Sequence, residues 1–147
     1  MDEFDLTIRN ATYAAFVELG HAPTAEEVAT RLDVAVAGVE DGWRRLHDAH
    51  ALVLRPDGDG LLMANPFSAV PTRYLVRAAG RDWYANCAWD AFGICAALHS
   101  DGHISTTCAD CESPIEIDVT SGEPSDTPLL FHSLVPAARW WDDIAFT

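Results

Sequence analysis

The sequence predicts an α+β protein, in which a helical N-terminal lobe precedes a lobe that combines a small mixed or antiparallel sheet with one further helix. Three segments with helical spacing of apolar residues fill residues 5–50, and a Gly/Asp turn between two apolar runs follows them. Strand-like segments dominate after residue 74. A chain of 147 residues suffices for two small lobes, which we place at 1–65 and 66–147.

The N-terminal lobe is predicted to contain three helices and a β-hairpin. The first helix covers residues 5–20, and the second begins at Thr24, which has capping-box spacing to Glu27. The third helix covers residues 34–50, although Gly38 and Gly42 weaken it. Two apolar runs then flank Pro-Asp-Gly-Asp-Gly, which indicates a hairpin. Three helices followed by a hairpin form a winged-helix-like pattern, which serves in packing and dimerisation as well as in DNA binding.

The second lobe is predicted to have strands on both sides of one helix. A proline-punctuated connector leads into it, and a Gly/Pro/Ser/Asp loop precedes its last strand. In chain order, we predict a connector at 65–73, a hairpin from Tyr74 to Tyr84, a helix from Cys87 to Leu98, strands at 103–107 and 114–119, a loop at 120–128 and a strand at 129–135.

The charge of the chain argues against a nucleic-acid partner. The formal net charge is −14, and all nine basic residues are arginine. A duplex binder needs a basic face that releases counterions from the phosphates. This composition offers few cations for such a face.

The sequence carries no membrane or export signal that we can recognise. No apolar run approaches the roughly 18 residues that span a membrane, and the acidic start MDEFDL does not resemble a secretory signal. We therefore expect a cytoplasmic protein. Its four cysteines should then be free thiols, so catalytic or metal-binding roles gain weight over disulfides.

The segment Tyr84-Ala-Asn-Cys-Ala-Trp-Asp90 is the strongest candidate site. If a helix begins at Cys87, its thiol lies near free backbone N–H groups and the positive end of the helix dipole, which favours the thiolate. Asp90 lies over the same turn, so the two groups can share one proton. A soft nucleophile beside an acid suits protonolysis. The alternative is a small core cysteine and an aspartate that faces the helix dipole.

Two further thiols lie in the segment Cys108-Ala-Asp-Cys111, for which three interpretations are open. The pair can be a simple turn between strands, half of a zinc or other soft-metal site, or a redox pair. A four-ligand zinc site needs two more ligands, for which His99, His103 and Cys95 are the candidates.

Three residues near the C-terminus are predicted to pack. His132 is expected to be a hydrogen-bonded core residue of the last strand. Trp140 and Trp141 are expected to pack, with the alternative that they shape a pocket for an apolar group.

Several segments together resemble the alkylmercury lyase family. The stretch Trp83-Tyr-Ala-Asn-Cys-Ala-Trp-Asp-Ala-Phe-Gly93 is similar to the active-site segment of these enzymes, in which a Cys and an Asp three apart follow a Tyr-Ala dipeptide. Supporting similarity lies in Pro66–Thr72, in Ser105–Cys108 and in the Leu-Val-Pro-Ala-Ala-Arg-Trp-Trp run. The resemblance spans nearly the whole chain and implies a lyase-like α+β second lobe.

This resemblance implies roles for particular residues. Cys87 would be a mercury-binding thiolate, and Asp90 would pass a proton to the leaving carbon. The ligand would be an organomercurial or a soft metal ion, with mercury as substrate and product and no cofactor required. The family's second mercury-binding cysteine is expected near residues 128–132, where this chain has none. Cys108 or Cys111 would then replace it, or the ligand would lie beyond Thr147.

Two functions from other classes compete with the lyase. One is a metal-responsive regulator, in which a winged-helix lobe reads DNA and the thiols sense the metal. The other is a catalytically inactive module that binds thiophilic metals. Neither the oligomeric state nor the organic group of the substrate follows from the sequence.

Overall fold

The computed structural model describes residues 1–133 and 135–144, and their helices and strands follow the predicted order closely. The helices are α1 (Glu3–Leu19), α2 (Ala25–Leu32), α3 (Val36–Asp48), α4 (Ala88–Leu98) and a 3-10 helix (Ala137–Asp142). The strands are β1 (Val53–Leu54), β2 (Leu61–Ala64), β3 (Phe67–Ser68), β4 (Tyr74–Ala78), β5 (Arg81–Ala85), β6 (Gly102–Thr107), β7 (Pro114–Thr120) and β8 (Glu123–Pro124). None of the helices in these ranges is long and apolar enough to cross a membrane.

The eight strands form one sheet, in the order β1-β2-β3-β5-β4-β6-β7-β8. Every neighbouring pair is antiparallel. The predicted α+β class is therefore confirmed, with an antiparallel sheet. Strand β2 pairs with β3 through Met63 and Ser68, which connects the N-terminal hairpin to the sheet of the second lobe. The division near residue 65 remains a prediction.

Local sequence signals set the ends of the first helices. The side chain of Thr24 accepts a hydrogen bond from the backbone N–H of Glu27, whose carboxylate accepts the N–H of Thr24 in return, so the predicted capping box is confirmed. Asp2 and Asp5 form a second capping box at the start of α1. Gly20 ends α1 in the left-handed conformation, with φ 80°, which glycine adopts without steric cost.

Two apolar clusters stabilise the fold, one among the N-terminal helices and one beneath the sheet. In the first cluster Ile8, Val28, Val39 and Leu46 are fully buried. In the second, α4 packs on β4 and β5, and Phe16 of α1 stacks on Phe67 with ring centroids 5.2 Å apart. The helical lobe therefore packs directly against the core that supports α4.

A matched pair of glycines in α3 tests how tightly the first cluster is packed. A Cβ added at Gly42 would lie 2.3 Å from Cδ1 of Ile8, which is 0% exposed, whereas a Cβ at Gly38 has no neighbour within 4 Å. We expect Gly42→Ala to lower the free energy of unfolding by about 1–3 kcal/mol through overpacking. Gly38→Ala should raise it by about 0.5–1 kcal/mol, because alanine loses less backbone entropy. Urea titrations measure both changes, and equal stabilisation by both variants would contradict this packing.

Two segments differ from the sequence prediction. The connector at 65–73 contains a short strand, β3. The strand predicted at 129–135 is absent from its described residues, whereas β8 lies inside the predicted loop. Ser121 and Gly122 both have positive φ, and this tight turn lets Glu123–Pro124 take the free edge of β7. Leu134 lies outside the described residues.

Candidate active site

Cys87 lies where the sheet passes into helix α4. Strand β5 ends at Ala85, and Cys87 is the N-cap residue of α4 with an extended backbone. Asp90 is in the first turn of the helix. The predicted helix start at Cys87 is therefore confirmed, and it places the thiol and the carboxyl group on one turn.

The side chains of Cys87 and Asp90 interact across the first turn of α4, and each affects the pKa of the other. Both residues are half-buried. Asn86 holds the carboxylate from the other side, because its Nδ2 donates a hydrogen bond to Oδ2 of Asp90 at 2.9 Å. The carboxylate thus lies between a thiol and an amide, which restricts its orientation. Oδ1 of Asn86 is buried and has no hydrogen-bond partner among the described residues.

Burial raises the pKa of both groups in the pair. For Cys87 the largest effect is desolvation, and the nearby Asp90 carboxylate also raises the pKa. The backbone N–H groups of Asp90 and Trp89 act in the opposite direction, as the helix start predicts, but they do not prevail. Our expectation that the helix start would favour the thiolate is therefore wrong. The pKa of Asp90 is raised by burial, although its bonds from Asn86 and Cys87 oppose the rise. One proton shared by this pair lies mainly on sulfur near neutral pH.

An open pocket of about 290 Å³ lies against this pair. Cys87, Asp90, Asn86 and Tyr74 belong to its sheet and helix side. The opposite side comes from the C-terminal segment, including His132 and Trp140, together with Phe131 and Val135. A thiol and an acid therefore face a cleft with a partly aromatic wall, which is large enough for a small organic group.

The C-terminal wall is held by aromatic contacts to both lobes. Phe131 lies 6.3 Å from Trp89 between ring centroids, and Trp141 stacks on His50 of the N-terminal lobe at 4.2 Å. The alternative that Trp140 shapes a pocket is thus supported, and Trp141 packs. Our expectation for His132 is wrong, because it is exposed and lines the pocket. The described residues of the predicted strand, 129–133 and 135, are not in a strand that would bury His132.

Cys108 and Cys111 do not line this pocket. They lie in the turn between β6 and β7, where the side chains of the two cysteines interact and hydrogen bonds from Ser113 hold the pKa of Cys111 below its ordinary value. The first explanation for the missing ligand, that one of them joins Cys87, finds no support in this arrangement.

The additional zinc ligands that the sequence offered lie elsewhere. His103 bonds to Glu116 and Asp118, His99 caps the end of α4, and Cys95 is buried in the core. Within residues 1–133 and 135–144, no group of three or more His, Cys, Asp or Glu side chains is placed to hold a metal ion. A four-ligand zinc site is therefore not supported.

The N-terminal lobe offers little cationic surface to a duplex. Arg31 pairs with Glu18, Arg44 pairs with Glu40 and Asp41, and Arg45 pairs with the buried Asp5. These arginines of α2 and α3 are already paired with carboxylates, so they offer little free positive charge to the phosphates of a duplex. The contacts of this lobe therefore do not favour a DNA-binding regulator.

Fold and site together define an α+β protein with a thiol–carboxyl pair at an open pocket. The alkylmercury lyase family model matches residues 67–147, and the chain belongs to this family. A crystal structure of the mercury-bound form of MerB2 matches with a TM-score of 0.68 at 23% sequence identity. The match covers 87% of this chain and 61% of the MerB2 chain, so this protein spans less than two thirds of the length of MerB2. A comparison with curated proteins found no match.

Sequence reasoning missed several residues of the pocket. Asn86 is the residue before the candidate thiol, and an amide in that position is a usable sequence signal for the positioning contact that it makes to Asp90. Tyr74, Asn65 and Met63 come from strands and connectors distant in sequence, and no local pattern marks them.

Proposed function

We propose that this protein cleaves carbon–mercury bonds by protonolysis, with Cys87 as the mercury-binding sulfur and Asp90 as the proton carrier. The placement of the thiol and the carboxyl group on one helical turn, both against the pocket, is the observation that carries the proposal. Membership of the alkylmercury lyase family supports it independently.

The proposed reaction moves a single proton from sulfur to carbon. As the Cys87 sulfur bonds to the mercury of R–Hg–X, its proton passes to the Asp90 carboxylate, and X⁻ leaves. The Asp90 acid then gives that proton to the carbon bonded to mercury. The carbon keeps the electron pair of the broken bond, so R–H leaves and mercury remains Hg(II) on sulfur. Since no oxidation state changes, the reaction needs no redox cofactor.

The raised pKa values of Cys87 and Asp90 suit this order of proton transfers. A thiol that keeps its proton at neutral pH supplies the proton that the carbon needs, and a carboxyl group with a raised pKa holds that proton more readily than an exposed aspartate does. Asn86 keeps the carboxylate oriented by its bond at 2.9 Å. Proton and metal thus meet at adjacent atoms of one substrate.

The pocket must also hold the organic group of the substrate and admit a second ligand for mercury. We propose that the R group lies against the wall formed by Trp140, Val135 and Phe131, which offers aromatic and aliphatic surface. Soft Hg(II) prefers two sulfur ligands, and residues 128–132 contain no cysteine. A small cellular thiol that enters the open pocket would complete the pair and carry Hg(II) away. We further propose that the protein acts in the cytoplasm, where such thiols are reduced.

Release of benzene from phenylmercury tests this function. The full chain is incubated with phenylmercuric acetate and excess monothiol, and headspace gas chromatography measures benzene against a protein-free control. We expect more than one benzene per protein molecule. Stoichiometric retention of phenylmercury without benzene above the control would reject the lyase and leave the inactive thiol module.

A further inference from the structure

We propose that the turn from Cys108 to Cys111 is a second thiol site, separate from the pocket, which binds a two-coordinate soft cation of the Hg(II) type. The proposed lyase chemistry does not use this turn. It is also the exposed end of a hairpin, where Cys111 is open to solvent and Cys108 is half-buried.

The turn has a defined backbone. The N–H of Cys108 donates to the carbonyl of Ser113 at 2.9 Å, and the N–H of Glu112 donates to the carbonyl of Cys108 at 3.0 Å. Glu112 closes the turn with φ 58°. The pairing of Thr107 with Pro114 continues it into β6 and β7. Two cysteines in such a closed turn are held together before any ligand arrives, which lowers the entropy lost on chelation.

The two thiols converge in space. The side chains of Cys108 and Cys111 interact within this one turn, and Sγ of Cys111 is 3.2 Å from Oγ of Ser113. Neither cysteine is in a disulfide. A single soft cation can therefore bond to both sulfurs, with release of two thiol protons to the buffer.

The surroundings select the class of ligand. No third His, Cys, Asp or Glu joins the two thiols in the part of the chain that the structure describes, so a tetrahedral zinc site is incomplete here. A cation that is satisfied by two sulfurs has no such requirement. Asp110 and Glu112 flank the thiols on the exposed turn and attract a cation without bonding to it.

The turn and the pocket lie at the same end of the sheet. Strand β4 pairs with β5 on one side through Tyr74 and Ala85, and with β6 on the other through Leu75 and Ser105. Continuing both registers to Thr72 would place Cys87 and Cys108 on opposite sides of that residue. Two strand spacings, about 10 Å, separate them. Because neither Cys108 nor Cys111 lines the pocket, we treat the turn as a site of its own.

Mercury titration of the full chain tests the second site. HgCl₂ is added in the presence of excess monothiol, and native mass spectrometry counts the retained Hg(II). The Cys87→Ser variant should retain one Hg(II), whereas Cys87→Ser with Cys111→Ser should retain none. We expect the double variant to bind about 10²-fold more weakly or worse, because the chelate is lost. Equal retention by both variants overturns the proposal.

A second comparison separates this proposal from the lyase. Cys111→Ser alone should release benzene at the wild-type rate. If no variant releases benzene, the lyase proposal is rejected, whereas the proposal of a mercury site at the turn is unaffected. Because Cys111 is exposed, its substitution leaves the fold intact, which circular dichroism verifies. Replacement of the buried Cys95 by alanine should leave the retained Hg(II) unchanged, and loss of retention there would also overturn the assignment to the turn.

Discussion

Cys87→Ser is expected to lower the rate of benzene release from phenylmercury by at least about 10³-fold, which is the scale of losing a reacting nucleophile. Serine keeps the size of the side chain and can donate to Asp90 in the same way. What it lacks is a soft, polarisable atom, and hard oxygen is a poor ligand for mercury. Mercury binding in the pocket and cleavage should therefore fail together, while the fold and the Hg(II) held by the turn survive.

The matched control for this variant is Cys111→Ser. It makes the same chemical change on an exposed turn that does not line the pocket. We expect its rate of benzene release to equal that of the wild type. A Cys87→Ser protein that is folded by circular dichroism and works within a few-fold of the wild type would remove Cys87 from the mechanism.

Helix boundaries were predictable because their causes are local. Thr24 and Glu27 satisfy each other's backbone groups within one turn, so their spacing is legible in the sequence. The start of α4 at Cys87 was predictable for a similar reason, since it follows the short hairpin of β4 and β5. The juxtaposition of Cys87 and Asp90 then followed from helix geometry alone.

The pocket was less predictable because its walls depend on long-range packing. The apolar start of residues 129–133 predicted a strand, but these residues are not in a strand, and the short β8 takes the edge of β7. His132 lies in this segment and is therefore exposed at the pocket, not buried in a strand. Such edge pairing is decided by a turn elsewhere in the chain and not by the propensity of the segment itself.

The protonation of the pair could not be read from the sequence for a related reason. A helix start lowers the pKa of a thiol, and that contribution is present at Cys87. Burial in the folded protein outweighs it. Burial is a property of the whole fold, so sequence reasoning predicted the juxtaposition of Cys87 and Asp90 but not the raised pKa of the thiol.

Asp90→Asn is expected to stop turnover and at the same time to stabilise the protein at neutral pH. Asparagine has the same shape and can still accept the Nδ2 hydrogen bond of Asn86, but it cannot carry the proton to carbon. Loss of a general acid costs about 10²–10⁴-fold in rate. Retention of mercury by Cys87 should persist in this variant, so binding and cleavage separate, unlike in Cys87→Ser.

The gain in stability follows from the raised pKa of Asp90. A carboxyl group whose pKa is higher in the folded than in the unfolded state favours folding below the unfolded value of 3.8, and this contribution is lost as the pH rises through the folded pKa. The wild type therefore carries a cost at neutral pH that the uncharged amide does not. The difference in Tm between Asp90→Asn and the wild type should grow from pH 4 upward and then level off.

The pH course separates this role from a merely structural one. Asp126→Asn removes the same charge from an exposed loop. Its rate of benzene release should equal that of the wild type, and its Tm should stay near the wild-type Tm at every pH. A structural aspartate that anchors α4 would instead give an amide variant with a lower Tm at neutral pH. That result, or benzene release near the wild-type rate, would contradict a buried proton carrier at position 90, because the group that carries the proton to carbon cannot be dispensable for its transfer.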